Sequence, residues 1–193
     1  MKLVFATHNQ NKFDEVKVLI PKHIELASLT DIGCTKEILE TGTTLEQNAQ
    51  LKSDYVTKKY GLNCFSDDTG LLVNTLDGAP GVYSARYAGE EKSAEANMKK
   101  LLEELVNKKD RSARFETAIS LNWFGKNYLF NGIVEGKITH KKHGDKGFGY
   151  DPIFRPLGFE KTFAELPLEI KNKISHRGMA TQQLIDFLKN LKH

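Results

Sequence analysis

The chain has 193 residues, 39% of them apolar and 27% charged, and its 28 Lys and Arg against 25 Asp and Glu leave a formal net charge of +3. That is the length of one domain, or of one domain with two lobes, with a core of useful size, and the charge is too small to argue for a nucleic-acid or membrane partner. Cys34 and Cys64 have neither metal-type spacing nor the number for a disulfide framework; with no signal peptide and no bilayer-length apolar run, the sequence reads as cytoplasmic with reduced thiols.

Lys2 to Ala6 is a short apolar run, read as a strand that ends in the polar loop Thr7-His8-Asn9-Gln10. From Asn11 the spacing changes, and Phe13, Val16, Leu19 and Ile20 recur at helical intervals until Pro21 stops them. A helix that starts after such a loop offers unpaired N–H groups and a partial positive charge, a natural place for an anion. Lys12 in the first turn works against the helix dipole, a conflict that a bound anion would relieve; a plain surface lysine fits this segment equally well.

Ile24 to Leu29 reads as a second strand, and Glu37 to Thr44 as an irregular polar segment turning at Gly42. A helix is predicted from Thr44, its cap, to about Lys59. Asn48 and Lys52 lie on the same stripe as Leu45, Ala49 and Val56, so either they snorkel or the stripe borders a polar cleft.

Ser66-Asp67-Asp68-Thr69-Gly70 reads as a strand running into a turn. Adjacent carboxylates repel, and Asp is unfavourable in strands. A hard divalent cation shared with a substrate's phosphates would remove that penalty; an ordinary acidic turn is the other reading. Asp77 to Gly89 then predicts a shaped surface loop, and Glu91 to Asn107 an amphipathic helix with Ala94, Met98, Leu101, Leu102 and Leu105 in the core.

Arg114 to Trp123 alternates, with Phe115, Thr117, Ile119, Leu121 and Trp123 on one face; Gly125-Lys126-Asn127 makes a turn and Tyr128 to Ile138 returns. This antiparallel hairpin after an αβ first half predicts a mixed α/β fold, a mixed sheet with flanking helices. Lys141-Lys142-His143 is a basic loop, read as solvated, with a phosphate contact as the alternative. After the loop Gly144 to Pro152 and Ile153-Phe154 come a polar helix near Leu166 to Lys173, a turn over Ile174 to Gly178, and a last helix with Leu184, Ile185 and Leu188 inward.

The polar segments Thr7–Lys12, Glu40–Thr43, Ser66–Gly70, Gly147–Asp151 and Ser175–Arg177 carry residues that stability does not ask for. Together they offer an anion-binding helix start, carboxylates for a metal, rings between glycines and a His-Arg pair, an inventory suited to a nucleoside triphosphate with Mg²⁺. The common phosphate-binding glycine motifs are absent. Stacking on the Gly147-Phe148-Gly149-Tyr150-Asp151 rings would be indifferent to the base, leaving discrimination to polar groups such as Asp151, His176 and Arg177.

Thr7-His8-Asn9-Gln10-Asn11-Lys12, Glu40-Thr41-Gly42, Ser66 to Leu71, Gly78-Ala79-Pro80-Gly81, Phe148 to Pro152 and Ser175-His176-Arg177-Gly178 follow one another in the order in which the sequence resembles the inosine triphosphate pyrophosphatase family, over essentially the whole chain. The resemblance implies Mg²⁺-dependent hydrolysis of non-standard purine triphosphates (dITP, ITP, XTP) to the monophosphate and pyrophosphate, by a homodimer. It implies an elongated mixed sheet with flanking helices, a single domain of two lobes spanning 1–193 with a central active-site cleft. It places Thr7, His8, Asn9, Gln10, Asn11 and Lys12 on the phosphates, and Lys12 and Lys52 beside the reacting phosphorus. Glu40 and Asp68 bind the metal, Asp68 also accepting the proton of the attacking water. Thr69 contacts substrate, and Phe148, Gly149, Tyr150, Asp151, Lys171, His176 and Arg177 surround the base. His8 departs from the Gly that many members have there, which would cost strain if φ had to be positive. Two other readings compete: a nucleotide or nucleic-acid binder without chemistry, and a pyrophosphatase preferring pyrimidine or canonical triphosphates.

Overall fold

The computed structural model describes residues 2–190. In chain order the elements are β1 (Lys2–Phe5), α1 (Gln10–Lys17), β2 (Glu25–Ser28), α2 (Leu45–Tyr60), β3 (Cys64–Val73), β4 (Pro80–Gly81), α3 (Ala94–Glu104), β5 (Ser112–Trp123), β6 (Lys126–Ile138), β7 (Phe154–Pro156), α4 (Leu168–Ile174) and α5 (His176–Asn190). The strands follow the order β2-β1-β3-β5-β6-β7, with β4 paired to β3. The fold is mixed α/β, as the sequence pattern predicts. The chain divides into two compact units, one of residues 1–68, 117–132 and 177–193, the other of 69–116 and 133–176.

In the first unit, β1 pairs in parallel with β2 on one side and with β3 on the other. Parallel neighbours need crossover connections, and α1 and α2 supply them. The order therefore reverses at β1, and the carboxyl end of a strand at such a switch point is where open α/β sheets take ligands. β1 ends at Phe5, opposite Phe65, whereas β3 runs on through Ser66, Asp67 and Asp68.

Strand alternation sorts the side chains of this unit. Leu3 and Phe5 of β1, with Phe65 of β3, pack with Phe13 and Val16 of α1 and with Leu184 and Leu188 of α5. Val4 and Ala6, with Cys64, pack against Val56 of α2. The Phe5 and Phe65 rings stack at 4.6 Å. The α2 cap is the predicted one, Thr44 accepting from the Gln47 N–H, and Gly61 at φ 67 closes the helix.

In the second unit, β3 pairs antiparallel with β4, and β6 with β7. Phe115, Phe154 and Phe163 form an aromatic core with Leu71, Met98, Leu101 and Tyr150. The Gly78–Gly81 segment is tied into this core by Ser84, whose hydroxyl accepts from the Leu71 N–H at 2.8 Å and donates to the Gly81 carbonyl at 2.6 Å.

Four expectations need correction. Ser66–Gly70 is not a turn but the middle of a ten-residue strand. Ala94 is exposed, because the third helix begins there and its first turn overhangs the core. The β5–β6 turn is Phe124-Gly125, both at positive φ, one residue earlier than the glycine suggests. His176 and Arg177 open α5 rather than lying in a turn.

Candidate active site

The continuity of β3 explains how two adjacent aspartates are tolerated. Successive strand side chains point to opposite faces, so the two carboxylates do not confront each other. Asp67 shares the Phe65 face: its Oδ1 receives Lys12 Nζ at 3.0 Å and its Oδ2 receives Arg177 Nε at 2.9 Å. Asp68 shares the α2 face: its Oδ2 accepts from Asn48 Nδ2 at 3.0 Å, and the neighbouring Ser66 hydroxyl donates to the Ala49 carbonyl. Each charge thus has its own donors.

Asn48 and Lys52 of α2 do not snorkel; both are buried against polar groups. Asn48 accepts from the Gly42 N–H at 2.8 Å while holding Asp68. Lys52 Nζ donates to Glu40 Oε1 at 2.5 Å and to the Asp67 carbonyl at 2.6 Å. The irregular 37–44 segment is thereby pinned to the helix that follows it, with Glu40 delivered beside Lys52.

Burial pushes the Asp68 carboxyl up, and the nearby Glu40 charge adds to that rise against the pull of Lys52. Burial works the same way on Asp67, but Lys12, Arg177 and Lys52 outweigh it and hold that carboxyl far below the usual range. Burial pulls Lys12 down, helped by the charges of Lys52 and Arg177 and opposed by Asp67. Lys52 goes up despite burial, because Asp68, Glu40 and Asp67 surround it. The two aspartates thus separate: one firmly ionised, the other pushed toward accepting a proton.

The Thr7–Lys12 loop is organised by its own side chains. Thr7 Oγ1 accepts from the Asn9 N–H at 3.1 Å, and Asn9 Oδ1 caps the first helix through the Lys12 N–H at 3.2 Å. The Gln10 and Asn11 N–H groups belong to the same first turn, where helix geometry supplies no intrahelical acceptor. Gln10 Nε2 reaches Asp14 at 2.8 Å, and Asn11 is exposed. His8 does not adopt positive φ, so its departure from Gly costs no backbone strain; its ring reaches the Lys36 carbonyl at 3.2 Å.

The second unit holds a different cluster. Asp151 Oδ2 accepts from Lys171 Nζ at 2.6 Å and from the Phe148 N–H at 2.8 Å, both side chains of the ion pair being buried. Lys171 Nζ also lies 5.1 Å from the Phe148 ring centre. Gly147 sits at φ 72, where a Cβ would run into the Asp151 carboxylate, so the tight loop requires glycine. His176 stacks on Phe115 at 4.6 Å. Of the two rings in the loop, Tyr150 is committed to the core, its hydroxyl donating to the Ser84 carbonyl at 2.8 Å, whereas Phe148 is half-buried. Thr69, at the start of this unit, is also half-buried.

Within the first unit the structure brings together Lys12, Glu40, Lys52 and Asp68, and within the second Phe148, Asp151 and Lys171, with His176 among the core aromatics. Sequence reasoning left the role of Asp67 open and passed over Glu15, buried on α1 with its carboxylate 2.6 Å from the Arg177 guanidinium. Glu15 directly precedes Val16 and lies within two positions of Phe13, at the border of the apolar stripe. That position is its only signal in the sequence.

Among the described residues there is no cluster of three or more His, Cys, Asp or Glu side chains arranged as a metal cage. The donor set of Glu40 and Asp68 nevertheless fits Mg²⁺. That ion is usually bound by one or two carboxylates plus substrate phosphates, and the buried Asp68 carboxyl, pushed up by burial and by the Glu40 charge, is the kind of group a hard cation relieves. In the basic 141–143 loop, Lys142 pairs with Glu95 at 2.8 Å.

A parallel switch point lined with an anion-ready helix start, two lysines and a carboxylate pair defines a protein that handles phosphorylated small molecules. Comparison with known proteins narrows the class. The Ham1 family model matches residues 3–187, and the chain belongs to that family. It is 62% identical over 188 residues to the dITP/XTP pyrophosphatase of Christiangramia forsetii, covering 97% of this chain and 99% of that one. It is 61% identical to the dITP/XTP pyrophosphatase of Flavobacterium johnsoniae, covering 97% and 98%. Its fold matches the solved Staphylococcus aureus Ham1 protein with a TM-score of 0.91 at 42% identity, over 100% of both chains.

Proposed function

We propose that this chain is a nucleoside triphosphate diphosphatase that hydrolyses dITP, ITP and xanthine triphosphates to the monophosphate and pyrophosphate, clearing them from the nucleotide pool. The observation that carries this reading is the geometry of two neighbouring aspartates on β3, just beyond the carboxyl end of β1, one ion-paired to Lys12 and Arg177 and the other held by Asn48 on the opposite face. The relatives named dITP/XTP pyrophosphatase support the substrate class.

In this mechanism Thr7 to Lys12 take the phosphates through the helix start and the Lys12 ammonium. Lys12 and Lys52 offset charge as it builds on the polyphosphate. Asp68, held by Asn48, accepts a proton from the attacking water, and its raised affinity for protons suits a general base. The new bond forms between the water oxygen and the α-phosphorus; the bond from the α-phosphorus to the bridging oxygen breaks, and pyrophosphate leaves with the electron pair. Glu40 and Asp68 would hold Mg²⁺, which would supply further positive charge to the triphosphate.

The purine is assigned to the Phe148–Asp151 loop, Lys171 and the His176-Arg177 pair, with Thr69 as a further substrate contact. Phe148 offers a face for stacking and the buried Asp151–Lys171 pair a polar edge that a wrong base would leave unmatched. The reading extends to a single two-lobed domain, a cytoplasmic location and a homodimer. The free buried cysteines accord with reduced thiols, and the exposed Leu129 and Ile133 on β6 would suit a partner copy. No helix of the described residues is long and apolar enough to cross a membrane.

A panel of dITP, XTP, dGTP, ATP and dUTP at one concentration, read by pyrophosphate release with Mg²⁺ and with EDTA, tests this directly. Turnover of dITP and XTP well above the others, lost with EDTA, is expected. Equal turnover of all five, or none, overturns the substrate assignment.

A further inference from the structure

Lys12 and Glu15 lie three residues apart on one face of α1, and both side chains turn inward to opposite ends of one charge chain. Lys12 Nζ holds Asp67 Oδ1 at 3.0 Å, Asp67 Oδ2 receives Arg177 Nε at 2.9 Å, and Arg177 Nη1 reaches back to Glu15 Oε2 at 2.6 Å. The helix backbone closes the ring. Three elements far apart in sequence, α1, β3 and the start of α5, are thus locked by alternating charges, all three members from Asp67 to Glu15 being almost fully buried.

Such a ring is a poor device for stability. Removing several charges from water costs more than their attraction reliably returns, and well-packed apolar side chains do as well or better. What the ring does fix is geometry: a lysine on a flexible four-carbon stem is held where its helix presents anion-binding N–H groups. Glu15 also settles a competition. Arg177 and Lys12 both draw on Asp67, and a carboxylate on the far side of the guanidinium lets Asp67 keep one oxygen for each.

We infer that Glu15 is a positioning residue for the polyphosphate site: acting through Arg177 and Asp67, it fixes the Lys12 ammonium for the phosphates. The inference rests on the assignment of Lys12 to the triphosphate made above. Without the Glu15 charge, Arg177 draws more strongly on Asp67, and Lys12 loses its fixed partner geometry, while Phe148, Asp151 and Lys171 keep their own contacts and only Arg177 belongs to both sites.

The test is a double-mutant cycle on the full chain, with inorganic tripolyphosphate and the nucleoside inosine as separate probes. Glu15→Gln keeps the size of the side chain and removes its charge. It is expected to weaken tripolyphosphate binding and lower kcat for dITP roughly 10–100-fold, the usual scale for supporting groups of a site, with inosine affinity, to which Arg177 alone of this chain of charges contributes, falling much less. Glu15→Asp, which keeps the charge, should recover part of the loss, and it carries the same measurements if Glu15→Gln does not fold. In a Lys12→Ala background the Glu15→Gln effect on tripolyphosphate should vanish, because the residue through which it acts is gone. The inference is overturned by wild-type tripolyphosphate affinity in Glu15→Gln, by equal loss of both probes, or by an undiminished effect in the Lys12→Ala background. Failure of the functional reading is separable: it shows as no pyrophosphate from dITP in the wild type, whereas the tripolyphosphate cycle still reports on Glu15.

Discussion

The two units solve opposite problems. The first gathers Glu15, Glu40, Asp67 and Asp68 with Lys12, Lys52 and Arg177, charges that would repel or be desolvated at great cost without one another. The second holds the buried ion pair Asp151–Lys171 set among rings. A dense network of charges handles a polyanion strongly but says little about what is attached to it. One satisfied pair beside a stacking ring binds less strongly, and rejects a ligand whose edge leaves it unmatched. On the proposed reading, strength and selectivity are carried by different pieces of sequence.

Substitutions can break each side separately. The largest effect is expected from Asp68→Asn, which leaves Asn48 and the strand in place but removes the proposed proton acceptor; kcat for dITP should fall about 10²–10⁴-fold, the range for loss of a general base, with little change in thermal midpoint. On the second unit, Asp151→Asn strands Lys171 without its counter-charge. About 3–5 kcal/mol of stability is expected to go, by denaturant titration, and discrimination between dITP and dGTP should narrow among the molecules that still fold.

Gly147→Ala attacks the same loop through its backbone. At φ 72, with the Asp151 carboxylate in the way, a methyl group should cost about 1–3 kcal/mol and raise KM more than it lowers kcat. Smaller still, Thr44→Ala removes the cap of the helix that presents Asn48 and Lys52, with an expected loss of about 1 kcal/mol. The smallest change lies outside both clusters: Phe124→Asn at φ 45 in the β5–β6 turn relieves an unfavourable backbone and should raise the thermal midpoint slightly, with activity unchanged.

Much of this arrangement is legible in the sequence because local signals and function coincide. The helix start after Thr7–Gln10, the Thr44 cap and the β5–β6 hairpin each follow from spacing and turn chemistry. The misplacement of Asn48 and Lys52 on an apolar stripe leaves snorkelling and a polar border both open, and the structure decides for buried polar partners. What stays hidden depends on partners distant in the chain. Ser66–Gly70 reads as a turn because Asp is rare in strands, whereas partners such as Lys12, Asn48 and Arg177, brought in from three helices, make a strand tolerable there. Tyr150 looks like a ring for a ligand, since a loop between glycines gives no hint that Ser84 will hold its hydroxyl in the core. Glu15 looks like a surface acid because its partner is 162 residues away.

The claim on which the rest depends is that water, deprotonated at Asp68, attacks the α-phosphorus. Hydrolysis of dITP in ¹⁸O-water, followed by mass analysis of both products, tests it most directly. One ¹⁸O atom per turnover in dIMP and none in the pyrophosphate is the predicted result. Label in pyrophosphate, or release of labelled orthophosphate, would place the attack elsewhere and contradict the account.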